Sequence, residues 1–147
     1  MQLTLYTDYS LRVLIYLGIR PGRQATITEV AQHYKISRNH LVKVVHNLGA
    51  LEYIRTVRGR GGGLVLARDA KEINIGEVVR NTEPNFDLVE CFDKGSNTCP
   101  ISPACRLIRP LKMARDAFLH ELDKYTLGDI VGNRHELATY LKIELDD

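Results

Sequence analysis

The chain has 147 residues, 44% of them hydrophobic and 26% charged, the profile of one globular domain that buries about 68–70% of the surface its unfolded chain would expose. Apolar runs such as residues 13–17 fall far short of the ~20 residues needed to cross a bilayer, which excludes a membrane-spanning protein. Thr7, Asp8 and Arg12 interrupt any apolar export segment at the start, so a cytoplasmic chain with reduced cysteines is expected.

The net charge of +2 conceals an asymmetry. Residues 1–68 carry ten Lys/Arg against three acids, a net of +7, whereas residues 69–147 carry ten against fifteen, a net of −5. A basic half attracts phosphate, although a merely solvated face gives the same balance, so the charge needs a shape to go with it.

Thr7 and Asp8 predict a helix start, through hydroxyl capping and a carboxylate in the first turn. Leu11, Leu14, Ile15 and Leu17 follow at helical spacing until Pro21-Gly22. Thr26-Ile27-Thr28-Glu29 is a capping box for a short second helix. Ser37 caps a third, running to about Ala50, and the pair reads as a helix-turn-helix. Along the third helix Leu41, Val44, Val45 and Leu48 share the inward face. Asn39, Lys43 and His46 lie opposite, with Asn47 beside them and Arg38 near the first turn, residue types that reach base edges and phosphates in a major groove.

Residues 53–57 alternate like a strand, Arg58-Gly59-Arg60-Gly61-Gly62-Gly63 turns, and residues 64–66 return. A hairpin with a cationic tip after a helix-turn-helix is a winged helix, and Arg58 and Arg60 suit the narrow minor groove. A phosphate-cradling loop is the competing reading, but the Lys-Ser/Thr of a Walker sequence is missing and no helix starts at Gly63. The expected DNA contacts are Thr28, Ser37, Arg38, Asn39, His40, Lys43 and Asn47, joined by Arg58, Arg60 and Gly61 of the wing.

A further amphipathic helix is expected over residues 73–83. The stretch 84–105 holds Pro84, Gly95, Pro100, Pro103 and all three cysteines. Leu107, Leu111, Ala114, Phe118, Leu122 and Tyr125 then recur every three or four residues. That stripe suits packing against a second copy, though packing within its own domain has the same signature. Pro110 fits a helix starting near Ile108 and would kink one starting at Ser102. Residues from Thr126 onward predict one or two short closing helices. The fold class expected is therefore mainly α with a small β-hairpin wing. Residues 1–83 form the winged helix-turn-helix DNA-binding domain, 84–106 the cysteine-bearing loop, and 107–147 a long dimerisation helix with a C-terminal tail.

Cys91, Cys99 and Cys105 lie within fifteen residues. Clustered soft donors suggest a metal, yet zinc sites favour close C-x2-4-C pairs and four ligands, which are lacking. An iron–sulfur centre with one external ligand fits the spacing; three free thiols or a thiol redox switch fit it too. Cysteine catalysis would want a base held nearby, and His33, His40 and His46 fall in the DNA-reading segment, while His120 and His135 lie in no catalytic motif. An enzyme is not expected.

Met1-Gln2-Leu3-Thr4, Thr7-Asp8-Tyr9 with Leu11-Arg12, Ser37-Arg38-Asn39-His40 with Val42-Lys43, Arg58-Gly59 with Gly62-Gly63, Ile75-Gly76-Glu77-Val78-Val79-Arg80 and Cys99 with Pro103-Ala104-Cys105-Arg106-Leu107 resemble the Rrf family of iron–sulfur winged-helix transcription regulators, and within it the nitric-oxide-sensing repressors. The resemblance runs from Met1 to about Val131. It implies a homodimeric repressor of operator DNA whose cluster, [4Fe-4S] or alternatively [2Fe-2S], is held by Cys91, Cys99 and Cys105, with Asp8 of the partner subunit as fourth ligand and nitric oxide as signal. Read without the family, Asp8 is a helix-start residue facing the dipole. Members that control cluster assembly place a histidine three residues after the last cysteine; this chain has Ile108 there. The stretch between Cys91 and Cys99 is longer than in most relatives. Regulation by metal-free thiol oxidation, or by iron or cluster sufficiency, are the alternatives.

Overall fold

A computed structural model describes residues 1–146. Seven α-helices and one hairpin follow in chain order: α1 (Leu5–Gly18), α2 (Ile27–Tyr34), α3 (Arg38–Ala50), β1 (Ile54–Val57), β2 (Gly63–Leu66), α4 (Ile75–Thr82), α5 (Ile108–Leu122), α6 (Leu127–Ile130) and α7 (Arg134–Leu141).

The first helix starts three residues earlier than Thr7-Asp8 suggests. Thr4 occupies the cap and its hydroxyl accepts the Thr7 N–H. The Thr7 hydroxyl is directed elsewhere, to Glu83. The capping box of α2 forms as expected, with Thr26 and Glu29 bonding reciprocally. The other oxygen of Glu29 accepts from the Tyr16 hydroxyl at 2.9 Å and Arg20 at 2.5 Å, tying α2 to α1. Ser37 holds the cap position of α3 without a side-chain hydrogen bond.

The hairpin pairs Ile54 with Leu66 through Val57 with Gly63. Ala25 clips onto it by reciprocal bonds with Leu64, at 3.0 and 2.7 Å. A Cβ at Gly63 would stand 2.7 Å from the Ala25 carbonyl oxygen, so the glycine is what lets the wing lie against the turn before α2. At the tip, Gly59 and Gly61 take positive φ, +102° and +70°, which a side chain would strain.

Leu14, Tyr16, Ile19, Leu41, Leu48 and Tyr53 are fully buried. Leu127, Val131 and Ala138 join the same core. They return there because α5 stops at Leu122: Tyr125, expected on its stripe, lies beyond the helix. Its carbonyl accepts the Ile75 N–H while the Leu127 N–H bonds Ile73. Pro110 sits in the first turn of α5, where an N–H has no helical partner to lose. No residue of α5 is buried within the chain, and Leu107 and Met113 are 60% and 62% exposed.

Candidate DNA-reading surface and cysteine loop

Helix α3 separates its faces as its periodicity requires. Leu41, Val44, Val45 and Leu48 face the core, leaving Arg38, Asn39, Lys43 and His46 exposed. The Arg38 Nε donates to the Thr28 hydroxyl at 3.1 Å, linking the two helices of the motif. Asn47 is half-buried against Tyr6, whose phenol burial holds above its ordinary range despite the opposing hydrogen bond from Asn47. His40 turns toward α1, its ring stacked on Tyr9 with centroids 6.3 Å apart. Arg58, Arg60 and Gly61 are exposed at the wing tip. Among the described residues Arg38, Lys43, Arg58 and Arg60 join no ion pair, so their charge is free for an anionic partner.

The cysteine loop is organised by short-range polar bonds. Cys91 lies in a 3-10 turn, Glu90–Phe92. The Glu90 carboxylate accepts from both the backbone N–H and the hydroxyl of Thr98. Because Glu90 precedes Cys91 and Thr98 precedes Cys99, this clasp brings the two cysteine-bearing segments side by side. It also folds the longer intervening stretch into a closed turn, braced by Asp93 on Gly95 and Ser96. The Thr98 hydrogen bonds hold the Glu90 carboxyl below the usual carboxylate range. Asn97 accepts the Cys99 N–H at 3.1 Å and donates to Ser102, whose carbonyl accepts the Cys105 N–H. Phe92 lies under Lys112 and Arg115, fastening the loop to α5.

All three thiols are free and half-buried. As soft, unoxidised donors on one loop they suit an iron–sulfur centre chemically. Among the described residues of one chain, however, no three His, Cys, Asp or Glu groups converge as a metal site. Asp8 is engaged by Arg12 through two contacts, Nη2 at 2.6 Å and Nε at 3.1 Å.

Residues that sequence reasoning passed over hold these pieces in place. Glu83 ties the start of α1 to the end of α4. Arg12 occupies Asp8, a pairing visible in the four-residue spacing. Phe92 anchors the loop through contacts with α5 that no local pattern signals.

A winged helix whose reading face carries unpaired cations is the architecture of a DNA-binding transcription regulator. Residues 3–133 match the Rrf2 family, described as iron-dependent transcriptional regulators, and the chain belongs to that family. It is 54% identical over 145 residues to the HTH-type transcriptional regulator NsrR of Bacillus subtilis, covering 98% of this chain and 99% of that one. To NsrR of Geobacillus kaustophilus it is 50% identical over 143 residues, covering 97% of each. Among solved structures, the global cysteine regulator CymR of B. subtilis superposes with a TM-score of 0.71 at 25% identity, over 90% of this chain and 98% of that one. T. potens IscR shares the fold with a TM-score of 0.67 at 18% identity, over 93% of this chain and 90% of that one. These named relatives are transcriptional regulators.

Proposed function

We propose that the chain acts in the cytoplasm as a homodimeric repressor. Helix α3 enters the major groove of operator DNA with Ser37, Arg38, Asn39, Lys43 and Asn47, supported by Thr28 and His40. The wing follows the minor groove through Arg58, Arg60 and Gly61. The observation that carries this reading is the exposed set Arg38, Lys43, Arg58 and Arg60, which has no ion-pair partner among the described residues. Dimerisation is supported by α5 and the residue before it: apolar Leu107, Leu111 and Phe118 find no buried place in their own chain. A second copy packed there would supply the second reading head that a site spanning successive major grooves, ~34 Å apart, requires.

On this reading Cys91, Cys99 and Cys105, with Asp8 of the partner subunit, hold an iron–sulfur cluster, [4Fe-4S] in preference to [2Fe-2S]. When bound, the cluster supplies an iron on its carboxylate side that nitric oxide can reach, carboxylate being the harder and weaker ligand. Asp8 is paired with Arg12 through both oxygens, so serving as ligand would draw at least one oxygen away from that pair. Both residues lie on α1, whose Tyr9 touches His40 of the reading helix, so the exchange bears on how the heads are held. A hundredfold change in operator affinity requires only about 2.7 kcal/mol. Anaerobic visible spectra with iron and sulfide counts, taken before and after nitric oxide beside an operator-binding assay, test this directly. A colourless, iron-free protein that still binds operator and still responds to nitric oxide would refute it.

The half-buried free thiols favour one second reading, a metal-free switch driven by thiol oxidation. Single serine substitutions separate the two, since a cluster site needs all three cysteines for colour. A signal of iron or cluster sufficiency is distinguished by operator release on iron depletion without nitric oxide.

A further inference from the structure

A cleft of about 400 Å³ opens between the α1–α2 turn, strand β2 and α6. Its lining is one-sided in charge: Arg20, Arg23, Arg55, Arg68 and Lys71 surround it, and among the described residues Asp69 is the one acid on the wall. One oxygen of that carboxylate accepts the Lys71 N–H at 2.8 Å. Leu66 and Val131 contribute an apolar floor.

Two of the cations, Arg55 and Lys71, are exposed and have no ion-pair partner among the described residues. Arg20 lies at the base of the cleft and is paired within its own chain. Its side chain is only 8% exposed, and Nη1 is satisfied by Glu29 and Tyr16. Its Nε is buried without any hydrogen-bond partner, a state that folded proteins seldom leave uncorrected. A concave wall with surplus positive charge and an apolar floor is complementary to an amphiphilic anion.

We propose that this cleft binds a small organic phosphate, with its head group on Arg55 and Lys71 and its apolar body against Leu66 and Val131. A DNA backbone carries the same head group, but a stiff duplex cannot use the apolar floor. The occupant would touch α1, the wing strand and α6 together, bracing the wing against the helix that carries Asp8.

The test is calorimetric titration of the full-length protein with phenyl phosphate, at ionic strength held constant with chloride. Saturable binding is expected, with inorganic phosphate weaker by several-fold because it leaves the floor empty. The double variant Arg55→Gln/Lys71→Gln alters two exposed side chains and should weaken phenyl phosphate by roughly tenfold or more, about 1.4 kcal/mol. No saturable heat, or equal affinity in the double variant, would overturn the site. Displacement of phenyl phosphate by a short duplex of random sequence would instead overturn the free-ligand assignment.

Discussion

The carboxylate of Glu83, just past the end of α4, accepts the hydroxyl proton of Thr7 on α1 at 2.5 Å. The same carboxylate takes the Thr4 hydroxyl at 3.0 Å and the Thr4 N–H at 3.1 Å. One side chain thereby fixes the first turn of α1, including Asp8, to the segment that leads into the cysteine loop. Because the proposed fourth ligand is Asp8 of the partner subunit, this bond between residues 76 positions apart joins two regions of one chain that would serve two separate ligand sets.

Glu83→Ala is expected to destabilise the protein by about 1–3 kcal/mol, because Thr7 is fully buried and its hydroxyl would lose its acceptor. For a chain of this size that corresponds to a fall in Tm of roughly 2–4 °C per kcal/mol. Glu83→Gln keeps one acceptor oxygen and should fall between. Thermal denaturation followed by circular dichroism gives the answer, and an unchanged Tm in Glu83→Ala would show that the clamp does not bear load.

Stability should decline in acid partly through Glu29. Burial pushes its carboxyl up, but hydrogen bonds from Arg20 and Tyr16 and the Arg20 charge outweigh that and hold it below the ordinary range. A carboxylate depressed in the folded state adds stability that is fully present above its unfolded value, about 4.3. That stability is lost as pH falls through the folded value. Glu29→Gln should therefore be less stable at neutral pH yet show a shallower loss below about pH 4.3. Parallel curves of unfolding free energy against pH for the two proteins would contradict this role.

The reading head was legible because its determinants are local. The Thr26–Glu29 box, the apolar face of α3 and the glycine-rich tip are each read within one turn or one hairpin, and all three form. The start of α1 was misplaced because Thr7 looks like a cap until Glu83 claims its hydroxyl, and no short window contains both. The extent of α5 was overestimated because Tyr125 keeps the spacing of the stripe although the backbone has already turned back to pair with Ile75. In the loop, cysteine spacing indicated donor chemistry. The Glu90–Thr98 clasp and the Phe92 anchor depend on polar and cationic partners that carry no periodic signature.

Asp8→Ala separates a ligand from a helix ion pair. The Asp8–Arg12 pair is about 40% exposed on both sides and spaced i,i+4, so its loss should cost about 0.3–0.5 kcal/mol and barely move the Tm of the cluster-free protein. If Asp8 completes the partner's ligand set, the same change should shorten cluster lifetime or alter the response to nitric oxide. Arg12→Ala breaks the same pair but leaves the carboxylate, and should retain the cluster. Identical effects of the two substitutions on cluster retention would sink the ligand role and leave the ion pair as the whole contribution.

For the DNA surface, charge and sequence reading should come apart. Arg58→Ala/Arg60→Ala removes cations from an exposed tip whose glycines, not arginines, set its backbone, so the fold should be undisturbed. Operator affinity should drop, and the slope of log K against log salt should flatten by up to about 0.9 for each phosphate charge no longer neutralised. Preference among operator variants should change little outside the minor-groove positions. Asn39→Ala, on the exposed face of α3, should instead cost about 1–3 kcal/mol at the base pair it reads and relax preference there, with a nearly unchanged salt slope. Fluorescence anisotropy across a salt series with matched and mismatched operators distinguishes the two patterns. Equal slopes for the wing variant and the parent at every salt concentration would remove the wing from the interface.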